Sequence, residues 1–297
     1  MLSTITTTTV RQKFANYDVV IPLSMAGVLI AVIIACVILI LVIFTKRLHT
    51  VTHLLICNSS ISSIFYCIIQ CVNYIFLVLI PAETNDSTCR WRGFFGYMAV
   101  AAVVYSYLAQ AISRFFISIL STKYRWAMSF KAHISLILIQ WFIVLLIPLP
   151  ALVTKDIYYR PFSLCWVPKK YTLHITYTVV AYYLIPAALI FIIYIYIYFR
   201  IKRRRNSIFT IRPTARTHRD LEVLYNIMIL FAIYTFGAIP TILYLSTGIQ
   251  FLYDMGIISV SFTVAIEKIA TLILDRDMRN MIKFYLHRSM TQIRPIS

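Results

Sequence analysis

Three ionisable side chains interrupt long apolar stretches of the sequence and are the residues best placed for unusual chemistry: Arg114, Glu267 and Lys268. A charge at the centre of an apolar helix costs on the order of 3 kcal/mol. Arg114 is predicted either to extend to a polar boundary along its own stem or to act as a conformational switch. Glu267 and Lys268 are adjacent, and helical neighbours project about 100° apart. We therefore predict that these two do not pair with each other and that at least one has a partner elsewhere.

Patterns typical of catalysis or metal binding are not found in the chain. There is no metal-spaced His or Glu cluster, no P-loop and no nucleophile elbow, and the six histidines are scattered among loops and helix ends. We predict that the protein is not an enzyme and uses no metal or cofactor.

Composition predicts the elements that hold these residues. Hydrophobic residues make up 61% of the chain and charged residues 13%, which is too apolar for a protein surrounded by water. A membrane-spanning helix needs about 20 apolar residues, whereas barrel strands are about 10 residues long and alternate in polarity. The predicted fold class is all-α, an integral membrane bundle of seven transmembrane helices at 19–44, 52–80, 94–120, 134–153, 173–199, 221–246 and 251–274.

The distribution of basic residues predicts the orientation in the bilayer. Of the Lys and Arg residues, 18 lie in the loops after helices 1, 3 and 5 and in the tail, and 8 lie on the opposite face. The positive-inside rule then makes residues 1–18 an extracellular N-terminus, without a signal peptide, and 289–297 a cytoplasmic tail. Residues 275–288 are predicted to form an amphipathic helix on the membrane surface. Because the net charge of +18 follows membrane topology, a nucleic-acid partner is not predicted.

Two cysteines differ from the other four, which lie inside predicted helices 1 and 2. Cys89 and Cys165 both fall on the predicted outer face, where disulfides persist, and we expect them to pair. Asn85 begins a glycosylation sequon on the same face, and its occupancy is left open. A second match, at Asn58, lies within helix 2 and should be inaccessible.

Asp220 opens predicted helix 6 directly after a basic loop, on the same side of the membrane as Arg114. It can cap the helix N-terminus, contact Arg114 and so tether helices 3 and 6, or do both. Pro186 and Pro240 lie deep in helices 5 and 6, where a missing backbone N–H favours a hinge.

Taken together, these positions resemble the rhodopsin-like G-protein-coupled receptors over nearly the whole chain, from about Val19 to Leu286. The separations of Cys89 from Arg114 and of Asp220 from Pro240 are similar to those in that family. Other matching residues are Trp141, Pro148, Pro150, Pro186, Tyr194 and the run from Phe231 to Pro240. The resemblance implies a receptor in the plasma membrane that activates a heterotrimeric G protein and can engage arrestin. It assigns Arg114, Asp220, Tyr194 and Pro240 to coupling and switching.

Several motifs of this family are altered here. The acidic neighbour of the arginine is replaced by Ser113, and Ala238 stands in place of the helix 6 tryptophan. Helix 7 reads Glu267-Lys268-Ile-Ala-Thr where the family has NPxxY. Ser63 replaces the sodium-binding aspartate of helix 2, although Glu267 could supply a carboxylate nearby.

The resemblance also bears on the ligand. Gly96 occupies the position of the aspartate that binds amines, and the retinal-lysine position is Ser261, so neither an amine nor retinal is expected. A peptide is the favoured ligand class, by frequency in the family. The residues expected to line its pocket are Tyr97, Thr178, Tyr182, Tyr244 and Tyr253, although interfacial anchoring also explains tyrosines. The alternatives are a decoy or arrestin-biased receptor that does not couple to G proteins and, less favoured, a transporter or channel, whose inverted repeats are not evident.

Overall fold

The computed structural model describes residues 17–78, 85–120, 124–160, 163–207 and 215–292, except for the side chains of 201, 203–207, 215–224 and 286–292. Within these ranges there are helices and loops but no strands. Seven helices there are long and apolar enough to cross a membrane, which confirms the all-α seven-helix bundle. The predicted N-terminal region up to residue 16, the tail beyond 292 and the centre of the basic loop lie outside the described residues.

The spanning helices follow one another along the chain and are numbered in that order. They are α1 (Tyr17–Phe44), α2 (Val51–Val78), α3 (Asp86–Ser118), α4 (Phe130–Leu146, continued after Pro148 by Leu149–Val153), α5 (Thr172–Val179, a π-helical turn Val180–Leu184, then Ile185–Ser207), α6 (Ala215–Thr247) and α7 (Gln250–Leu274). The helix after them is α8 (Arg276–Gln292), and short 3-10 turns occupy Lys46–Leu48 and Arg125–Met128.

Helix α3 is the centre of the bundle. Of its most apolar stretch, 78% of the residues are buried, against 22% to 39% in the other six helices. Small side chains such as Ala99, Ala101 and Ala102, all fully buried, let neighbouring helices approach it. The outer helices instead expose large apolar residues, including Ile33 and Phe191, as expected for surfaces that face lipid.

Helix α3 begins at Asp86, well before the apolar run that the sequence predicted from Phe94. Asn85 caps it, because its side-chain oxygen accepts a hydrogen bond from the Thr88 backbone N–H at 2.8 Å. The first two turns carry Arg90 and Arg92 and therefore lack the apolar signal on which the prediction depended.

The π-helical turn in α5 lies immediately before Pro186, which has no N–H to donate to the preceding turn. One carbonyl of this turn is satisfied from another helix, since the Tyr105 hydroxyl donates to the Ala181 oxygen at 3.0 Å. The turn therefore links α3 to α5 at the level of Tyr182 and Tyr183.

Helices α6 and α7 are packed closely around Gly237. A Cβ added there would overlap the Thr263 side chain, with its Cβ only 2.6 Å away, so any larger residue would push the helices apart. The Ser259 hydroxyl donates to the Gly237 carbonyl at 2.6 Å, three residues before Pro240. The segment of α6 predicted to act as a hinge is thus held against α7.

Helix α8 is anchored by its first turn. Met278 is fully buried in a cluster with Ile38 and Val42 of α1, while Asp275 caps the helix by accepting the Met278 N–H at 2.9 Å. The His53 ring of α2 lies 3.6 Å from the same carboxylate. Burial by itself raises the pKa of the Asp275 carboxyl, but the contact with His53 and the hydrogen bonds from backbone N–H groups outweigh it and hold that pKa below its usual range.

Candidate functional site

A cleft opens at the end of the bundle that carries Cys89 and Cys165, which we call the disulfide end. It lies between α2, α3, α5, α6, α7 and the loop before α5. The five residues predicted to line a ligand pocket all lie on its wall: Tyr97, Thr178, Tyr182, Tyr244 and Tyr253. Their part in ligand binding stays a prediction.

The loop before α5 covers the cleft and is fixed at two points. The predicted disulfide between Cys89 and Cys165 is confirmed, with the sulfur atoms 2.05 Å apart, and it ties the loop to the first turn of α3. Two residues further on, the Val167 N–H donates to the Tyr97 hydroxyl at 3.1 Å. The ring centroids of Tyr97 and Trp166 are 4.8 Å apart in an edge-to-face arrangement. The lid is therefore held in place by a covalent bond and by one residue of the cleft wall.

Eight of the 22 residues that line the cleft are aromatic. They are one tryptophan and seven tyrosines: Trp166, Tyr66, Tyr74, Tyr97, Tyr182, Tyr183, Tyr244 and Tyr253. Gln70 is a polar residue among these rings, and its side chain is only 5% exposed. Its amide oxygen has no hydrogen-bond partner within the described part of the chain, so it remains an available acceptor on the cleft wall.

All charged groups that line the cleft in the described residues are basic. Arg160 lies on the wall, where one of its terminal nitrogens donates to the Trp166 carbonyl at 3.3 Å. Its buried Nε has no hydrogen-bond partner among the residues that the structure describes. Lys169 lies at the exposed rim with its ammonium group against Gly248. No Asp or Glu of the described chain lines the space.

Glu267 and Lys268 form an ion pair halfway along the bundle. The Lys268 ammonium lies 3.0 Å from both carboxylate oxygens, and the two side chains are 1% and 0% exposed. The prediction that these neighbours do not pair was wrong. Their Cβ atoms diverge on the helix, but the four-carbon stem of lysine is long enough to bend back in an environment without water.

The ion pair is held by two hydroxyl groups. The Lys268 ammonium also donates to Ser59 Oγ of α2 at 2.8 Å, and the Thr271 hydroxyl lies 3.4 Å from Glu267 Oε1. Ser63, at the family's sodium position, is fully buried. Among the described residues no three His, Cys, Asp or Glu side chains converge as a metal site. Glu267 does lie in the bundle interior, and the cation beside it is a lysine.

Arg114 lies at the opposite end of α3 from the disulfide and is 7% exposed. Its guanidinium donates to Thr52 Oγ1 of α2 at 2.7 Å. The side chain therefore points into the bundle and does not extend to the surface along its stem. An arginine buried at this end, bonded to a neighbouring helix, is a group that can be released when the helices move.

The other predicted switch residues have different surroundings. Helix α6 begins at Ala215, so Asp220 lies within the helix and the interpretation that it is the N-cap was wrong; its side chain lies outside the described part. Tyr194 packs against a small cluster formed by Ile119 and Ile197 where α3 meets α5. Pro240 lies inside α6 as predicted.

The two sequons also differ in accessibility. Asn85 is exposed and uses its side-chain oxygen for capping. Asn58 is 4% exposed and lies between Gln140, to which its amide donates at 2.6 Å, and Trp141, whose ring N–H donates to it at 3.0 Å. This arrangement explains why the second sequon is inaccessible, as predicted.

Sequence reasoning missed the neutral partners of the charged groups and part of the cleft. Thr52 and Ser59, which bind the two buried cations, carry no signal in a sequence rich in such residues. Gln70 had a usable signal, because an amide inside an apolar helix needs a partner. Arg160 was counted only as one charge of the outer face.

Two comparisons with known proteins bear on this arrangement. The sequence profile of the family described as 7 transmembrane receptor (rhodopsin family) matches residues 34–273. No curated protein matches the chain at a significant level of similarity.

Proposed function

Because the chain belongs to the rhodopsin family of seven-transmembrane receptors, we propose that it binds an extracellular ligand in the cleft and activates a heterotrimeric G protein at the opposite end. The observation that carries this proposal is the layout of α3. One end of this central helix forms the cleft wall at Tyr97, and the other end holds the buried Arg114. A single buried helix that reaches both sites is suited to couple them.

The orientation follows from the same proposal and from the charge distribution. We place the disulfide end, the N-terminus and the sequon at Asn85 outside the plasma membrane, with the basic loop 200–219 and the tail inside. The favoured ligand is a peptide. It must bind the active arrangement of the helices more tightly than the inactive one, since a ligand without that difference shifts nothing.

Movement of α6 is the proposed output. The Gly237 contact with α7 holds the middle of α6, while Pro240 leaves its preceding turn without one backbone hydrogen bond, so the two ends of the helix can move differently. Outward movement of the end near Ala215 would open a surface that contains Arg114. Residues 200–219 would provide basic contacts to the G protein, and arrestin would compete for the same surface.

The direct test is G-protein recruitment in cells, measured with and without ligand-containing extracts for the wild type, Arg114→Ala and Asp220→Ala. We expect Arg114→Ala to abolish recruitment at equal surface expression. Asp220→Ala should raise ligand-independent recruitment if this carboxylate restrains α6. Unchanged recruitment in Arg114→Ala would contradict the proposal, and unchanged basal recruitment in Asp220→Ala would contradict only the tether.

One observation favours a second function, a receptor that recruits arrestin without a G protein or that only sequesters its ligand. Ser113 stands where a carboxylate would pair with the arginine, its hydroxyl has no hydrogen-bond partner among the described residues, and Arg114 is bonded to Thr52 instead. Arrestin recruitment or ligand uptake without any G-protein response would favour this alternative.

A further inference from the structure

The chemistry of the cleft limits which peptides can bind. We propose that the cleft receives a peptide by its C-terminus, with the free carboxylate at Arg160 and Lys169 and the last side chains, apolar or aromatic, among the tyrosines. This inference rests on the proposed receptor function and specifies the ligand of that same site.

The charged side chains that line the cleft in the described residues are basic. Arg160 and Lys169 line the cleft, and no acidic side chain of the described residues does. The Nε of Arg160 is buried and has no hydrogen-bond partner in the described part of the chain, and its guanidinium is planar, a geometry that matches two carboxylate oxygens. A cationic group entering the cleft would meet only like charges on its wall.

Asp254 is an acidic residue close to the cleft. It follows Tyr253 on α7, and both Asp254 and Arg160 act electrostatically on the Tyr17 hydroxyl, so the carboxylate is in the same neighbourhood as the guanidinium. Asp254 does not line the cleft. It is an acidic residue to which a cationic ligand could pair, and this dependence can be tested.

Neutral side chains form the rest of the cleft wall. The deep wall is formed by aromatic rings and by aliphatic residues such as Val100 and Val260, which suits apolar side chains. Gln70 presents a buried amide oxygen that has no hydrogen-bond partner among the described residues. A backbone N–H of a peptide is the donor that this acceptor lacks, whereas a fatty acid has no such donor.

The test uses purified full-length receptor and a library of N-acetyl tripeptides that end in Phe, Tyr, Leu or Ile, made as free acids and as carboxamides. Binding is read as a rise in Tm, because a ligand that binds only the folded state stabilises it. We expect some free acids to raise the Tm. Their carboxamides should bind at least about tenfold more weakly, because the free energy of a hydrogen bond to a charged group corresponds to a change in affinity of that size or larger. Arg160→Gln should abolish the preference for the acid, and Arg160→Lys should retain part of it.

Lys155→Gln is the matched control, because it removes a positive charge from an exposed position at the disulfide end that does not line the cleft. It should leave both affinities unchanged. The proposal is overturned if acids and carboxamides bind equally, if no free acid binds, or if oleate stabilises the receptor better than every peptide. It is also overturned if tripeptides with a free amino group bind more tightly than the free acids and Asp254→Asn abolishes their binding.

The result separates this proposal from the receptor function. If a tripeptide acid raises the Tm but no G protein is recruited, the proposed coupling fails and the recognition of a carboxylate stands. If G protein is recruited by a carboxamide or an amine in preference to the acid, the coupling stands and the proposed ligand chemistry fails.

Discussion

Replacing Lys268 with methionine removes an ammonium group that lies 3.0 Å from both oxygens of Glu267 and retains a long apolar side chain. The remaining carboxylate is 1% exposed and cannot be hydrated where it lies. Removing one partner of a buried ion pair typically costs about 3–5 kcal/mol, whereas replacing both partners by neutral groups costs little. Lys268→Met is therefore expected to destabilise the folded bundle strongly.

The stability lost in Lys268→Met is set by the less costly of two states of Glu267, a charged carboxylate without its partner or a protonated carboxyl group. At 3.0 Å the two charges attract each other by about 5.5 kcal/mol for an effective dielectric constant of about 20. A carboxylate left alone can instead take up a proton, which costs about 3.7 kcal/mol for an ordinary glutamate at pH 7. If the intact pair roughly balances its own desolvation, Lys268→Met loses about 3.7 kcal/mol. Glu267→Gln loses at most about 4.6 kcal/mol, the cost of deprotonating an ordinary lysine at pH 7.

The assay is the Tm of purified receptor in detergent for the two single variants and for the double variant Glu267→Gln, Lys268→Met. Each single variant should lower the Tm by on the order of 10 °C. The double variant leaves no buried charge without a partner. Its stability should fall by only about 1 kcal/mol, because the hydrogen bond to Ser59 is lost. Because protonation becomes cheaper in acid, the loss in Lys268→Met should shrink to about 1 kcal/mol at pH 5. Additive losses in the double variant, or a Lys268→Met defect that does not depend on pH, would refute this reasoning.

Three further outcomes can be checked. Gly237→Ala should destabilise the contact between α6 and α7 by about 1–3 kcal/mol and lower the Tm, because the added Cβ overlaps Thr263. Adding Thr263→Gly to the same chain should restore most of the lost stability. An unchanged Tm in the single variant would contradict the contact. If the sequon is occupied, Asn85→Asp should abolish a glycosidase-sensitive gel shift at nearly unchanged Tm, because Asp still caps α3. Ser87→Ala should abolish the gel shift as well, and a gel shift that persists in both variants would place the glycan elsewhere. Since the pKa of Asp275 is held below its usual range, its stabilising contribution is present at neutral pH and lost as the pH falls below about 4. Asp275→Asn should retain the cap but lack this acid-dependent fall in Tm. An identical fall in both proteins would mean that another group causes the acid dependence.

Much of the fold could be predicted from local patterns. A run of about 20 apolar residues has few alternatives to a spanning helix, so the number and order of the helices follow from the chain. Helix starts were less predictable. The polar first turns of α3 carry no apolar signal and depend on the cap at Asn85.

The candidate site was also predictable only in part. That Cys89 pairs with Cys165, and that Arg114, Glu267 and Lys268 require compensation, follows from residue type and topology alone. The partners do not. Thr52 and Ser59 were not predicted, because which hydroxyl meets a buried cation depends on how each helix is rotated against its neighbours.

The sequence by itself thus determined a seven-helix membrane bundle and the places where polarity had to be compensated, because burial in lipid penalises every unsatisfied charge whatever its neighbours are. Only the tertiary structure decided that Glu267 pairs with Lys268, that Arg114 bonds to α2, and that Arg160 joins the tyrosines of the cleft. Each of these contacts depends on the rotamer of a long side chain and on the packing of helices distant in the chain. Neither is encoded in the spacing of residues along one helix.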